Sequence, residues 1–120
     1  VYKRQLSQRA AVGAFDAAGE LEAVKAGYAK NRELLLQHMP RLGFDEILPV
    51  DGAFYIYASV APFTNDSLDF ARRMLEEAGV AATPGLDFDR ERGNRYMRFS
   101  FAGTHEAMRQ GIERLEGWLP

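Results

Sequence analysis

Residues 96–102 alternate in the manner of an extended strand: Met97, Phe99 and Phe101 fall on one face, and Tyr96, Arg98 and Ser100 on the other. A strand so patterned must lay its greasy face on a core, which commits one layer of the fold to sheet. Just upstream, residues 80–83 read as a second short strand, Pro84 and Gly85 as a turn, and the residues between as a polar loop. The proline fixes φ, and the glycine is expected to supply a backbone conformation that other residues resist. On its polar face the later strand holds a guanidinium between a phenol and a hydroxyl. Two readings fit Arg98. It is either a rigid fork gripping a planar carboxylate through two parallel hydrogen bonds, or a charge on the solvent side of a half-buried strand.

The rest of the chain supplies helices to cover that strand. Residues 6–15 read as a short alanine-rich helix with Ser7 as a cap, broken at residues 16–19. A longer helix is expected over 20–39, with Leu21, Val24, Tyr28, Leu35 and Met39 along one stripe and Pro40 as its stop. Acidic Glu20 and Glu22 at its start and His38 at its end suit the helix dipole. A weak edge strand at 47–50, a hairpin signal at Asp51-Gly52 and a central strand over 53–58 follow. A helix over 67–78 is bounded by Asp66 or Ser67 and by Gly79, and its buried stripe is expected to be Leu68, Ala71, Met74, Leu75 and Ala78. The last helix starts after Thr104 and runs to Trp118, turning Met108, Ile112, Leu115 and Leu119 to the sheet. Gly111 within it suggests a close neighbour. Helices packed on a small, mostly antiparallel sheet give an α+β two-layer sandwich.

Composition narrows the partners. With 120 residues and a formal charge of −2, the chain is one domain by length and carries no bias toward polyanions, so nucleic acid is not expected as a partner. The absence of cysteine excludes disulfides and thiolate metal sites and fits a reducing compartment. No apolar run reaches membrane-spanning length, and no membrane association is expected. The chain opens on Val1 and not on methionine, so it is expected to be a piece of a longer protein. Residues 1–5 are an unassigned terminal remnant.

Other polar groups read as structural. Asp87, Asp89 and Glu91 lack the spacing of a calcium loop and read as a solvated acidic loop beside Arg90, Arg92 and Arg95. His38 and His105 have no partner at metal-ligand spacing and read as surface residues at helix ends. Asn31-Arg32 reads as a polar helix face.

The run "GVAATPGLDFD…GNRYMRFSFAG", with "DGAFYIY" at 51–57 and the helical segment before it, resembles the C-terminal region of class I/II, fold-type-I, pyridoxal-phosphate-dependent aminotransferases. The resemblance covers about residues 6–120 and implies an aminotransferase C-terminal small domain without its large cofactor-binding domain. It implies that Arg98 binds the α-carboxylate of an amino-acid substrate, and it places Phe54 near the substrate cleft, where a core phenylalanine is the alternative. The parent enzyme would move an amino group between an amino acid and a 2-oxo acid, as a cytoplasmic homodimer whose small domain closes as a lid. The cofactor-binding lysine is not expected here: Lys3, Lys25 and Lys30 all lack the family's setting, so this segment alone should be inactive and holds no catalytic residue. Another fold-type-I reaction fits the same residues, as does a stand-alone module that binds small carboxylates.

Overall fold

The computed structural model describes residues 4–120. Among them the order is α1 (Gln5–Ala14), α2 (Ala18–His38), β1 (Tyr55–Ser59), α3 (Ser67–Ala78), β2 (Thr83–Pro84), β3 (Tyr96–Ser100) and α4 (His105–Trp118). Short 3-10 turns at Gly85–Asp87 and Gly93–Arg95 join β2 to β3. The strands form one antiparallel sheet in the order β1-β3-β2, so the architecture is the expected α+β sandwich.

The central strand is β3, not the segment at 53–58. Tyr57 and Thr83 lie opposite Arg98 on its two sides. β1 begins only at Tyr55, because Ala53 takes a left-handed φ of 59° and the chain is still turning at Phe54. Outside β1 the expected edge strand shrinks to one bridge between Ile47 and Ala58. On the other side only Thr83 and Pro84 pair with β3, so Pro84 ends a strand and the turn comes after it.

Met97, Phe99 and Phe101 are buried, as the alternation requires, with Ile56 and Ala58 of β1 on the same face. Phe44 is completely buried and meets Phe63 and Phe99 edge-on at 5.2 and 5.3 Å, the geometry favoured by the ring quadrupole. α2, α3 and α4 cover this face through Leu35, Phe70, Met74, Ile112 and Leu115. Met108 and Leu119 pack at its margin.

Capping chemistry sets the ends of α3 and α4. Asp66 accepts from the backbone N–H groups of Leu68 and Asp69, and Gly79 closes α3 in the left-handed conformation at φ 66°. Thr104 caps α4 by accepting from the N–H of Ala107. α1 has no such device: Arg4 holds the N-cap position and Ser7 lies inside the helix. Gln5, set aside with the terminal residues, is the first residue of α1; residues 1–3 lie outside the described part.

Two apolar stripes differ from the pattern read in sequence. α3 buries Ser67, Phe70, Ala71 and Met74, while Leu68 and Leu75 are more than half exposed. α2 starts two residues early, and Leu21 and Val24 in its first half are exposed. α1 buries nothing, and Leu6, Val12 and Phe15 face outward. Gly111 meets no atom that a side chain would strike; it borders a cavity of about 310 Å³ between α2, α4 and the sheet.

Candidate functional site

The face of the sheet away from the helices is where the alternation puts Arg98. Its Cα lies between Tyr57 on β1 and Thr83 on β2, with Tyr55 diagonal to it. The guanidinium is half-buried and lies over the Phe88 ring at 4.4 Å and the Tyr55 ring at 5.2 Å. Its hydrogen bond among the described residues is long, from Nη2 to Thr83 Oγ1 at 3.4 Å. Among the described residues Arg98 forms no ion pair with a carboxylate, unlike Arg72, Arg73, Arg92 and Arg109. The charge is therefore held by aromatic faces, and most of its donors stay uncommitted.

Phe54 sits in the turn before β1 and is 52% exposed, so it is not a core phenylalanine. Its carbonyl accepts from the N–H of Phe101 at 2.8 Å, and its ring stands edge-on to Tyr55 at 6.3 Å. Tyr55 thus links the ring of Phe54 to the guanidinium of Arg98. The two sequence-chosen residues, Phe54 and Arg98, are joined through Tyr55, and the Phe88 ring is the guanidinium's second aromatic contact.

The loop supporting that face is fixed at its ends by two glycines. A Cβ on Gly93 would lie 2.5 Å from the backbone of Gly85, and one on Gly85 would lie 2.6 Å from both Tyr57 Oη and Tyr96 O. Gly85 does not have a positive φ, so its role is close approach and not the turn conformation expected from sequence. The Gly93 carbonyl also accepts from Ser67 Oγ at 2.7 Å, which ties the loop to the start of α3. Between the glycines, Asp89 accepts from the N–H groups of Glu91 and Arg92, and those bonds hold its carboxyl below its usual range. Asp89 therefore closes a turn and is more than part of a solvated acidic run.

Tyr57 stacks on Tyr96 at 5.2 Å and 16°. Its hydroxyl is buried without a hydrogen-bond partner among the described residues. Burial pushes its pKa up, the nearby Asp89 charge adds to this, and Arg92 opposes it.

Asn31, expected on a polar helix face, is instead buried, at 1% exposure. Its Nδ2 donates to Phe101 O at 3.0 Å and Gly103 O at 2.8 Å, and its Oδ1 meets His105 Nδ1 at 3.0 Å. One amide therefore joins α2, the exit of β3 and the first residue of α4. Beside it Arg32 Nε donates to Val50 O at 2.9 Å. His105 is exposed at the start of α4, as expected, with its ring against the Asn31 amide, and His38 lies 3.6 Å from Glu116. Nothing in the local sequence announces these contacts, since the Asn31 partners are 70 or more positions away. Asn31→Leu should cost about 1–3 kcal/mol of stability, because two carbonyls lose their donor. His105→Ala should cost less, since both carbonyls keep theirs. Urea unfolding of the two variants checks this; equal stability would mean the amide adds nothing.

By architecture the protein is an α+β domain presenting a cationic, aromatic-lined sheet face. The chain belongs to the aminotransferase class I and II family, whose model matches residues 1–115. It is 48% identical over 96% of its length to valine–pyruvate aminotransferase of Mycobacterium tuberculosis, covering 30% of that protein. It is 32% identical over 95% of its length to (5-formylfuran-3-yl)methyl phosphate transaminase of Methanocaldococcus jannaschii, again covering 30%. The crystal structure of an aminotransferase from Mycobacterium tuberculosis superposes with a TM-score of 0.91 at 48% identity, over 96% of this chain and 30% of that one. The chain thus spans less than a third of the length of these relatives. No helix among the described residues is long and apolar enough to cross a membrane.

Proposed function

We propose that this chain is the C-terminal small domain of an aminotransferase and that Arg98 binds the α-carboxylate of its amino-acid substrate. The observation that carries the reading is the state of that guanidinium: half-buried, fixed on the central strand, resting on two rings and free of any carboxylate among the described residues. Such a group is pre-positioned to give two in-plane N–H donors to one carboxylate, at little reorganisation cost. Phe54 and Tyr55 would wall the approach and keep water from the pair, strengthening it. The small domain would then close over bound substrate as a lid, within a homodimer.

The family implies pyridoxal phosphate, which supplies the electron sink for amino transfer. The described residues of this chain do not fit its attachment. Lys25 is exposed and paired with Glu22 on the outside of α2, and Lys30 is also exposed. The cofactor and the proton-transferring lysine are therefore assigned to the rest of the enzyme. The outward apolar residues Leu6, Val12, Phe15, Leu21 and Val24 support a covering body of that kind and weigh against a stand-alone carboxylate-binding module.

The test is amino transfer by the full-length protein loaded with pyridoxal phosphate. Valine with pyruvate is the first pair, taken from the name of the relative at 48% identity. Formation of the new amino acid and the new oxo acid in equal amounts is expected for this or another amino acid–oxo acid pair. Failure across the common amino acids, with cofactor bound, would refute the assignment.

A further inference from the structure

We infer that Phe88 is a positioning residue for Arg98, an aromatic platform that sets the guanidinium without using up its hydrogen-bond donors; this rests on the carboxylate-binding reading above. The guanidinium carbon lies 4.4 Å from the centre of the Phe88 ring, closer than to the Tyr55 ring at 5.2 Å. A charge over a ring face is held by the ring's quadrupole, and that attraction needs no N–H. A carboxylate partner in the same place would neutralise the charge and occupy the fork. Among the described residues only Thr83 draws on the donors, through one bond at 3.4 Å.

Phe88 is 55% exposed, so its place is not explained by core packing. The backbone, however, fixes it firmly. Its N–H donates to Gly85 O at 2.9 Å, the next N–H, of Asp89, donates to the same oxygen at 2.9 Å, and Gly93 N–H returns to Asp89 O at 2.9 Å. The loop is thus cinched where Gly85 and Gly93 cross, and Phe88 projects from a closed ring of hydrogen bonds. A phenylalanine left half in water on so constrained a loop, against an arginine with no acidic partner among the described residues, has a task in holding that arginine.

The full-length enzyme with cofactor bound separates this task from a general effect. The readout is the preference for its best amino-acid donor over the amine that lacks the carboxylate (for valine, isobutylamine), as a ratio of kcat/KM values. Phe88→Leu keeps an apolar side chain and removes the quadrupole. It should lower the preference about five- to tenfold, mainly through a higher KM for the amino acid, with the amine barely affected. Phe88→Tyr should restore the preference to within about twofold, since a phenol keeps the π face. Arg98→Ala in parallel reports on the underlying reading. If Arg98→Ala abolishes the preference while Phe88→Leu leaves it unchanged, the platform role is wrong and the carboxylate site stands. An equal loss in Phe88→Leu and Phe88→Tyr, or an equal loss on acid and amine, also overturns it. If Arg98→Ala keeps the preference, the carboxylate site falls and the role of Phe88 falls with it.

Discussion

Arg98→Ala in the full-length enzyme is expected to lower kcat/KM for the amino-acid substrate on the order of a hundredfold or more, with the bound cofactor's absorbance unchanged. The size follows from two charge-assisted hydrogen bonds, each worth about 1.5–3 kcal/mol, set against about 1.4 kcal/mol per factor of ten in rate. The cofactor signal should persist because Arg98 rests on Thr83, Tyr55 and Phe88, while the cofactor and its lysine are assigned to the rest of the enzyme. Arg98→Lys should recover little. An ammonium on a flexible stem cannot present two parallel donors and sits less well over the Phe88 ring. Steady-state kinetics equal to wild type in both variants would remove the carboxylate assignment.

Gly93→Ala should be the most damaging single methyl group in the chain. The added Cβ would lie 2.5 Å from the carbonyl carbon and oxygen of Gly85 and from the amide nitrogen of Leu86. All three are backbone atoms, so no side chain can swing aside. Relief requires the two ends of the 85–93 loop to part, which would break the Ser67–Gly93 hydrogen bond and carry Phe88 away from Arg98. A cost of about 3 kcal/mol is expected, at the upper end of ordinary overpacking, with the melting temperature of the longer protein lowered by roughly 5 °C. Thermal unfolding of the full-length protein measures it. As the internal contrast, Gly117→Ala should leave the melting temperature unchanged or slightly raised, because its Cβ would meet nothing within 4 Å. If Gly93→Ala melts with Gly117→Ala, the crossing is looser than it stands here.

These two residues show how far sequence carries. The face on which Arg98 lies was legible because strand alternation is a local property: Met97 and Phe99 commit the greasy side, and Arg98 has only the other to occupy. The ends of α3 and α4 were legible for the same reason, since Asp66, Gly79 and Thr104 satisfy backbone groups within three or four positions of themselves. The buried stripe of α3 was legible only in part. Leu68, Ala71, Met74, Leu75 and Ala78 have helical spacing, and so do Ser67, Phe70, Ala71 and Met74, the two sets sharing Ala71 and Met74. Only contact with Phe63 and Trp118, which lie 5.8 and 5.1 Å from the Phe70 ring, selects the second.

What the sequence settled by itself, then, is the class of fold, the helix caps and the side of the strand from which a guanidinium emerges, because each depends on periodicity or on near neighbours. The tertiary structure alone decided that β3 is central, that Asn31 is a buried cross-link, that Gly85 and Gly93 serve a backbone crossing, and that the Phe88 ring lies against Arg98. Each of those joins residues far apart in the chain or depends on how strands are ordered in space, and neither spacing nor composition contains that information.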